Sequence, residues 1–379
     1  MQNIEFKKSK DFTVGVELEM QIIDPNSRDL VQKCSEILKE LGNKKNIKHE
    51  FYESCIELNS DVCNSISDLE KNLLEHVHIL HEAAKKLGLK IAMAGTHPTA
   101  NWSKQLVSPN KRYLDLANRI QMPIQRMLTF GIHVHVGLSS GAEAVAVNNG
   151  LMNYLPHLLA LSCSSPYWVK RDSGMESYRV KIIETLPTTG LPYKLESWDE
   201  YCELFNILKN AGTIESFREI WWDTRPHPDF GTVEVRICDA TSRFEDVISI
   251  AALVQSLVAH LAFKFRANEK TETFPTFVTR QNKWRAARYG LDGEFIINRN
   301  GDTAPIKEEI EKLVQLVEPV SKQLESYNQL QEIKNLLKRG TSSKRQRKIF
   351  EETHGTWNVI IDTLINEFED SWKLKPVLK

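Results

Sequence analysis

The chain has 379 residues, 41% of them hydrophobic and 26% charged, with a formal net charge of −1. This supports a sizeable core, excludes global disorder, and argues against bulk electrostatic attachment to nucleic acid or an acidic membrane. Six scattered cysteines without C-x-x-C spacing read as reduced thiols, and the start shows no secretory h-region. No apolar run approaches the ~18 residues of a membrane span, so a cytoplasmic protein with neither membrane nor nucleic acid as partner is expected.

The first predicted element is a strand over about 13–23, ending at the turn cluster Asp24-Pro-Asn-Ser27. Within it Glu17 and Glu19 alternate with Val and Leu, so both carboxylates leave one face. Glu50, Glu53 and Glu57 follow at helical spacing, although a turn leading into a strand centred on Glu57 fits equally. Residues 67–87 read as an amphipathic helix stopped by Gly88, and 89–94 as a short strand. A helix over 108–128 is expected to kink or break at Pro123. Next comes the strand Phe130-Gly-Ile-His-Val-His-Val136, with His133 and His135 on one face, and then an apolar helix over 142–163. Ser164 to Trp168 and Arg171 to Arg179 are polar loop segments, where binding residues often lie. A Pro/Gly loop at 187–192 precedes a helix at 198–210, and Trp221 to Pro228 forms an aromatic and cationic rim. The strand Gly231-Thr-Val-Glu-Val-Arg-Ile237 sends Glu234 and Arg236 one way. From Arg243 only helices are predicted, at about 244–266, 277–289, 305–337 with a break at Pro319, 342–350 and 355–371. The fold class is α+β: an antiparallel-rich sheet with one wet concave face, backed by helices. We expect a single catalytic domain over 1–379, with a sheet-bearing core at about 11–242 and a helical part at about 243–373 packed on it.

A solvated strand face explains any one of these charged pairs. Three such strands in one sheet would gather three carboxylates, two imidazoles and a guanidinium, the inventory of a site for hard cations and phosphate. Glu17, Glu19, Glu57 and Glu234 with one or two imidazoles suit Mg²⁺ or Mn²⁺ bridging nucleotide phosphates. His133 is the preferred imidazole ligand, and the other His is read as a hydrogen-bonded core residue. Arg236 is either a plain salt-bridge partner of Glu234 or a group that neutralises a transferring phosphoryl. Arg225, fixed by the following Pro226, is a candidate for a substrate carboxylate. Neither a P-loop nor a dinucleotide fingerprint is present.

Together these segments resemble the glutamate–cysteine ligase family, in its short bacterial carboxylate–amine ligase branch, from about residue 13 to 370. The markers are Gly15-Val-Glu-Leu-Glu19, Glu50 to Glu57, Gly95-Thr-His-Pro98, the His strand, Ser164-Ser-Pro-Tyr-Trp168, Asp172-Ser-Gly174, Trp221-Trp-Asp-Thr-Arg-Pro226, the Glu234/Arg236 strand, Trp284 to Gly290 and Gln346-Arg347. The resemblance implies a curved antiparallel sheet of glutamine synthetase and guanidino kinase type cradling ATP. It implies an ATP-dependent ligase that forms an amide through a γ-glutamyl phosphate, with cysteine the amine of the named activity. It also implies metal ligands at Glu17, Glu19, Glu50, Glu57, His133 and Glu234, catalytic roles for Arg236 and Glu57, and nucleotide contacts from His135 and Arg236. Substrate contacts then fall to Arg225, Arg179 and Trp168. Expected partners are ATP, a glutamate-like acid and an amine; a homodimer is compatible. Lys170 stands where relatives commonly carry Gly, and Gln281 where they commonly carry Glu. Two other classes stay open: a guanidino or carboxylate kinase, and a catalytically silent nucleotide-binding protein.

Overall fold

The computed structural model describes residues 4–42 and 44–373. Strands β1 (Val14–Ile23), β2 (Ile47–His49), β3 (Cys55–Asn59), β4 (Lys90–Ala92) and β5 (Gly131–Gly137) come first. They are followed by β6 (Tyr167–Trp168), β7 (Arg171–Asp172), β8 (Thr224–His227), β9 (Thr232–Asp239), β10 (Glu294–Ile296) and β11 (Thr303–Pro305). The main sheet runs β2-β3-β1-β5-β9-β8, with β4 also paired to β1 and every ladder antiparallel. The fold is α+β.

Alternation builds this sheet. In β1, Val14, Val16, Leu18 and Met20 are buried while Gly15, Glu17 and Glu19 on the other face are only partly covered. Each large inward side chain contributes roughly 1.5–3 kcal/mol. The residues 49–58, left between helix and strand, fold as a turn into β3. Pro226 lies in β8 at the sheet edge, where a missing N–H breaks no interior ladder.

The helices before residue 243 are α1 (Cys34–Glu40), α2 (Ile66–Lys86), α3 (Lys111–Ile120), α4 (Met122–Gln125), α5 (Gly141–Leu151), α6 (Leu155–Ser162), α7 (Arg179–Ile183) and α8 (Trp198–Asn210). Those after it are α9 (Phe244–Arg266), α10 (Thr276–Tyr289), α11 (Ile306–Gln323), α12 (Tyr327–Arg339), α13 (Ser342–Glu352) and α14 (Trp357–Lys373). The helix expected over 108–128 is two, split at Gln121 (φ +61°), with Pro123 in the first turn of α4, where it removes no needed donor. The apolar stretch 142–163 likewise splits, and Pro156 opens α6.

Pro319 does not break its helix. It sits inside α11 on the exposed side, so the carbonyl it deprives of a partner lies where water reaches it. The chain turns instead at Leu324 to Ser326. The hairpin β10–β11 interrupts the part predicted as helices alone. Against expectation, α9 is long and apolar enough to cross a membrane, yet 89% of its apolar window is buried. It packs behind the sheet against β5, α2, α5, α11, α12 and α14. One hydrophobic cluster runs from Phe12 to Trp372, and a smaller one lies under α8.

Candidate active site

Register explains how residues far apart in sequence meet. Residues directly opposite in an antiparallel ladder share a face. Three rows cross the face turned away from α9: Lys48, Glu57 and Glu19; then Glu17 and His133; then His135, Glu234 and Arg225. A shift in β9 sharpens the middle row. Val235 pairs with Val134 and Cys238 with Ile132, so both Arg236 and Ile237 stand against His133. This is a β-bulge, with one extra residue on the strand.

Donor atoms of Glu17, His133 and Glu234 all lie within 4.8 Å of one another. His133 Nδ1 is 3.0 Å from Glu17 Oε2, and its Nε2 is 3.8 Å from Glu19 Oε1. His135 Nδ1 contacts Thr232 Oγ1 at 3.1 Å. Its Nε2 faces Glu17 Oε1 at 3.5 Å and Glu234 Oε1 at 3.8 Å, with no hydrogen-bond partner among the described residues. Arg236 Nη1 is in direct contact with Glu234 Oε1.

Electrostatics divides the carboxylates. Burial alone would raise Glu17, but the hydrogen bond from His133 and the nearby His135 imidazole hold it well below the usual range. Burial likewise opposes the charge on Glu234, and the Arg225 and Arg236 guanidiniums hold it well below as well. Glu50 goes the other way: burial and the Glu19 charge push it up to about 7. Burial and the Glu17 charge push Glu57 well above its ordinary value, although Lys48 Nζ stands 2.9 Å away. Close carboxylates that resist ionising together are what a divalent cation relieves. An oxygen-rich set with imidazole fits Mg²⁺ or Mn²⁺.

These residues line an open cleft of about 500 Å³. Glu17, Glu19, Glu50, Glu57, His133, His135, Arg225, Glu234 and Arg236 all reach it. Beside it lies a smaller, more enclosed chamber of about 80 Å³, which shares Glu19, Glu50, His133, Trp221 and Arg236 with the cleft. Arg179 lines this chamber and not the cleft.

Two expected substrate contacts sit differently from expectation. Arg225 is 4% exposed, and its guanidinium is already engaged. Nε donates to Glu234 Oε2 at 2.8 Å, and Nη1 donates to the carbonyls of Phe217 and Ile220 at 2.7 and 2.6 Å. It braces Glu234 and does not present a free fork to a ligand. Trp168 lines neither compartment; it stands in the β6–β7 hairpin, 6.0 Å from the Tyr178 ring.

Sequence reasoning missed Lys48, Arg112, Tyr113, Arg218 and Phe230 around the cleft. It also missed Asp223 in the chamber. Tyr113 gave a usable signal, since the Asn110 cap starts α3 and aims that tyrosine at Glu50, which accepts from its hydroxyl at 2.9 Å.

The sequence profile of glutamate–cysteine ligase family 2 matches residues 13–361. The chain belongs to that family. A Frankia alni protein that carries the provisional name glutamate–cysteine ligase 2-1 is 38% identical over 370 residues, covering 96% of this chain and 97% of its own. A Thermobifida fusca protein with the provisional name glutamate–cysteine ligase 2 is 38% identical over 371 residues, covering 96% and 93%. The glutamate–cysteine ligase of Francisella tularensis, solved in complex with AMP, shares the fold at a TM-score of 0.67 and 14% identity, covering 99% of this chain and 91% of its own. A bifunctional glutathione synthetase from Pasteurella multocida superposes at 0.68 with 13% identity, covering 95% of this chain and 53% of its own.

Neither position noted as a departure within this ligase family reaches the cleft. Lys170 (φ +59°) follows Val169 (φ +49°) in the two-residue turn between β6 and β7, a backbone that favours glycine. Gln281 is exposed on α10.

Proposed function

We propose that this protein is an ATP-dependent carboxylate–amine ligase of glutamate–cysteine ligase type, joining a glutamate-like acid to an amine such as cysteine through an acyl phosphate. The observation that carries the reading is the meeting of Glu17, His133 and Glu234 within 4.8 Å, beside Arg236, in a cleft roomy enough for a nucleotide. Family membership supplies the reaction class. A carboxylate is a poor electrophile, and phosphorylation gives it a leaving group. The enzyme's task is then in-line positioning and neutralisation of phosphate charge.

Mg²⁺ or Mn²⁺ would be held by Glu17, Glu19, Glu50, Glu57, His133 and Glu234, and when bound it would withdraw charge from the phosphate oxygens. Arg236, anchored on Glu234, offers a fixed cation to the γ-phosphoryl group. Arg225 keeps Glu234 from swinging away. His135 faces the same row and is assigned to the nucleotide phosphates. Lys48 holds Glu57 at the far side of the cleft, where that carboxylate completes the catalytic set. Cytoplasmic location and small-molecule partners belong to the same reading.

ADP release from the purified protein tests it. Turnover is expected to need ATP, Mg²⁺ or Mn²⁺, a glutamate-like acid and an amine together. Full-rate ADP formation without amine, with a phosphorylated acid accumulating, would overturn the reading in favour of a kinase. Binding of Mg-ATP without ADP release for any acid and amine pair would mark a silent binder.

A further inference from the structure

Ser164, Ser165, Ser177 and Arg179 belong to loop segments where ligand contacts are expected, yet none of them reaches the cleft. They converge instead on Asp239, the fully buried last residue of β9. Its carboxylate accepts from the Ser164 N–H at 3.0 Å and from the Ser165 and Ser177 hydroxyls at 2.6 and 2.9 Å. Arg179, the first residue of α7, is 3% exposed. Its Nη1 lies 3.9 Å from Asp239 Oδ1, and its backbone N–H donates to Ser165 Oγ at 3.0 Å. Both charged groups are closely walled: a Cβ at Gly95 would collide with the Asp239 carboxylate, and one at Gly131 with the Arg179 guanidinium.

A buried ion pair of this spacing is a poor source of stability. What Arg179 grips is backbone. Nη1 donates to the carbonyl of Ile237 at 3.2 Å and Nη2 to that of Arg236 at 3.4 Å. These are the two residues of the β9 bulge that stand against His133, where the ladder is disrupted. The Arg236 N–H donates in turn to the Asp223 carbonyl at 2.8 Å. The backbone of Arg236 is thus held by α7 and by the link before β8, while its side chain lines the cleft against Glu234, 3.5 Å from His133 Nδ1.

We propose that Arg179 is a positioning residue: it fixes the β9 bulge in the form that aims Arg236 at the transferring phosphoryl group. The serines and Asp239 hold Arg179 in turn, which gives those buried loop residues a task at a distance from the chemistry. The assignment rests on the ligase reading, which gives Arg236 its own role. Displacing a catalytic group by about 1 Å can cost on the order of 100-fold in rate, so the hold on the bulge is read in turnover.

Steady-state ADP release from the full chain tests this. Arg179→Gln should lower kcat by on the order of 100-fold, with KM for ATP and for the acid within about threefold of wild type. In an Arg236→Ala background the same substitution should cost less than about threefold more, because its route to the reaction is already gone. Gly131→Ala is the second variant. It keeps every buried donor and charge and displaces the guanidinium from the bulge, so it should show the same kcat loss and the same non-additivity even if Arg179→Gln does not fold. A third readout needs no turnover: the γ-phosphate ³¹P resonance of bound Mg-ATP, without acid, should move in Gly131→Ala towards its position in Arg236→Ala. The proposal is overturned if the losses multiply in the double variants, if KM for the acid rises while kcat holds, or if the ³¹P resonance stays at its wild-type position. The ligase reading fails separately, by the absence of acid- and amine-dependent ADP release in the wild type, and the ³¹P comparison still decides the positioning role in that case.

Discussion

Glu234 keeps its charge at 1% side-chain exposure because two guanidiniums flank it. Removing one leaves a buried charge undercompensated, which costs about 3–5 kcal/mol. Arg225→Ala is therefore expected to lower the melting temperature and to reduce kcat, with little change in KM for the acid; a substrate-binding role would give the reverse. Glu17→Gln acts differently. Its side chain is 23% exposed, so the fold should persist while ADP release falls at least a hundredfold, read by coupled assay and circular dichroism. Glu50 predicts a pH dependence. Its folded value near 7 lies above the ordinary 4.5, so the folded state binds the extra proton between those values. That contribution is full below pH 4.5 and is lost as pH rises through 7. The cation-free protein should melt at lower temperature at pH 8 than at pH 5.5, by on the order of 1–3 kcal/mol in stability. Glu50→Gln should flatten that slope, and Mg²⁺ should raise the melting temperature more at pH 8.

At the level of single elements, the β6–β7 hairpin carries two L residues in the left-handed region, one of them β-branched. Asn-Gly is the pair such a turn prefers. Val169→Asn combined with Lys170→Gly should stabilise the protein by about 1–2 kcal/mol, measured by urea unfolding, with turnover unchanged. The same scale shows what sequence could reveal. The strands β1, β5 and β9 are long enough for period-two alternation to declare itself, and that alone brought Glu17, Glu19, His133, His135, Glu234 and Arg236 to one face. β2, β10 and β11, at three residues each, are too short to show a period. β8 was hidden by Pro226, which is tolerated because the strand lies at an edge. The bulge at Arg236 and Ile237 leaves no mark on the sequence, since the extra residue shows only against its partner strand. The bracing contacts of Arg225 were hidden for a related reason: its carbonyl partners come from a short 3₁₀ turn and its end, at Phe217 and Ile220.

Over the whole molecule, the core joins strands from the first two-thirds to helices from the last. Val247, Ile250, Val254 and Leu257 of α9 are fully buried in the cluster that holds Val16, Leu18 and Val134. A chain ending at Ser242 would leave that sheet face bare and is expected to be insoluble, whereas the full chain should show a single heat-absorption peak by calorimetry. The apolar character of α9 also bears on how the protein is made. A nascent segment this hydrophobic resembles cargo for membrane insertion machinery. Every strand of the main sheet precedes it in the chain, so the sheet side of its docking surface is made before α9, while α11, α12 and α14 follow to cover the rest. Chain order thus shields the helix from competing destinations. A circular permutant beginning at Phe244 would synthesise α9 first, without that surface, and should partition to the membrane or aggregate fraction of expressing cells although its finished fold would contain the same contacts.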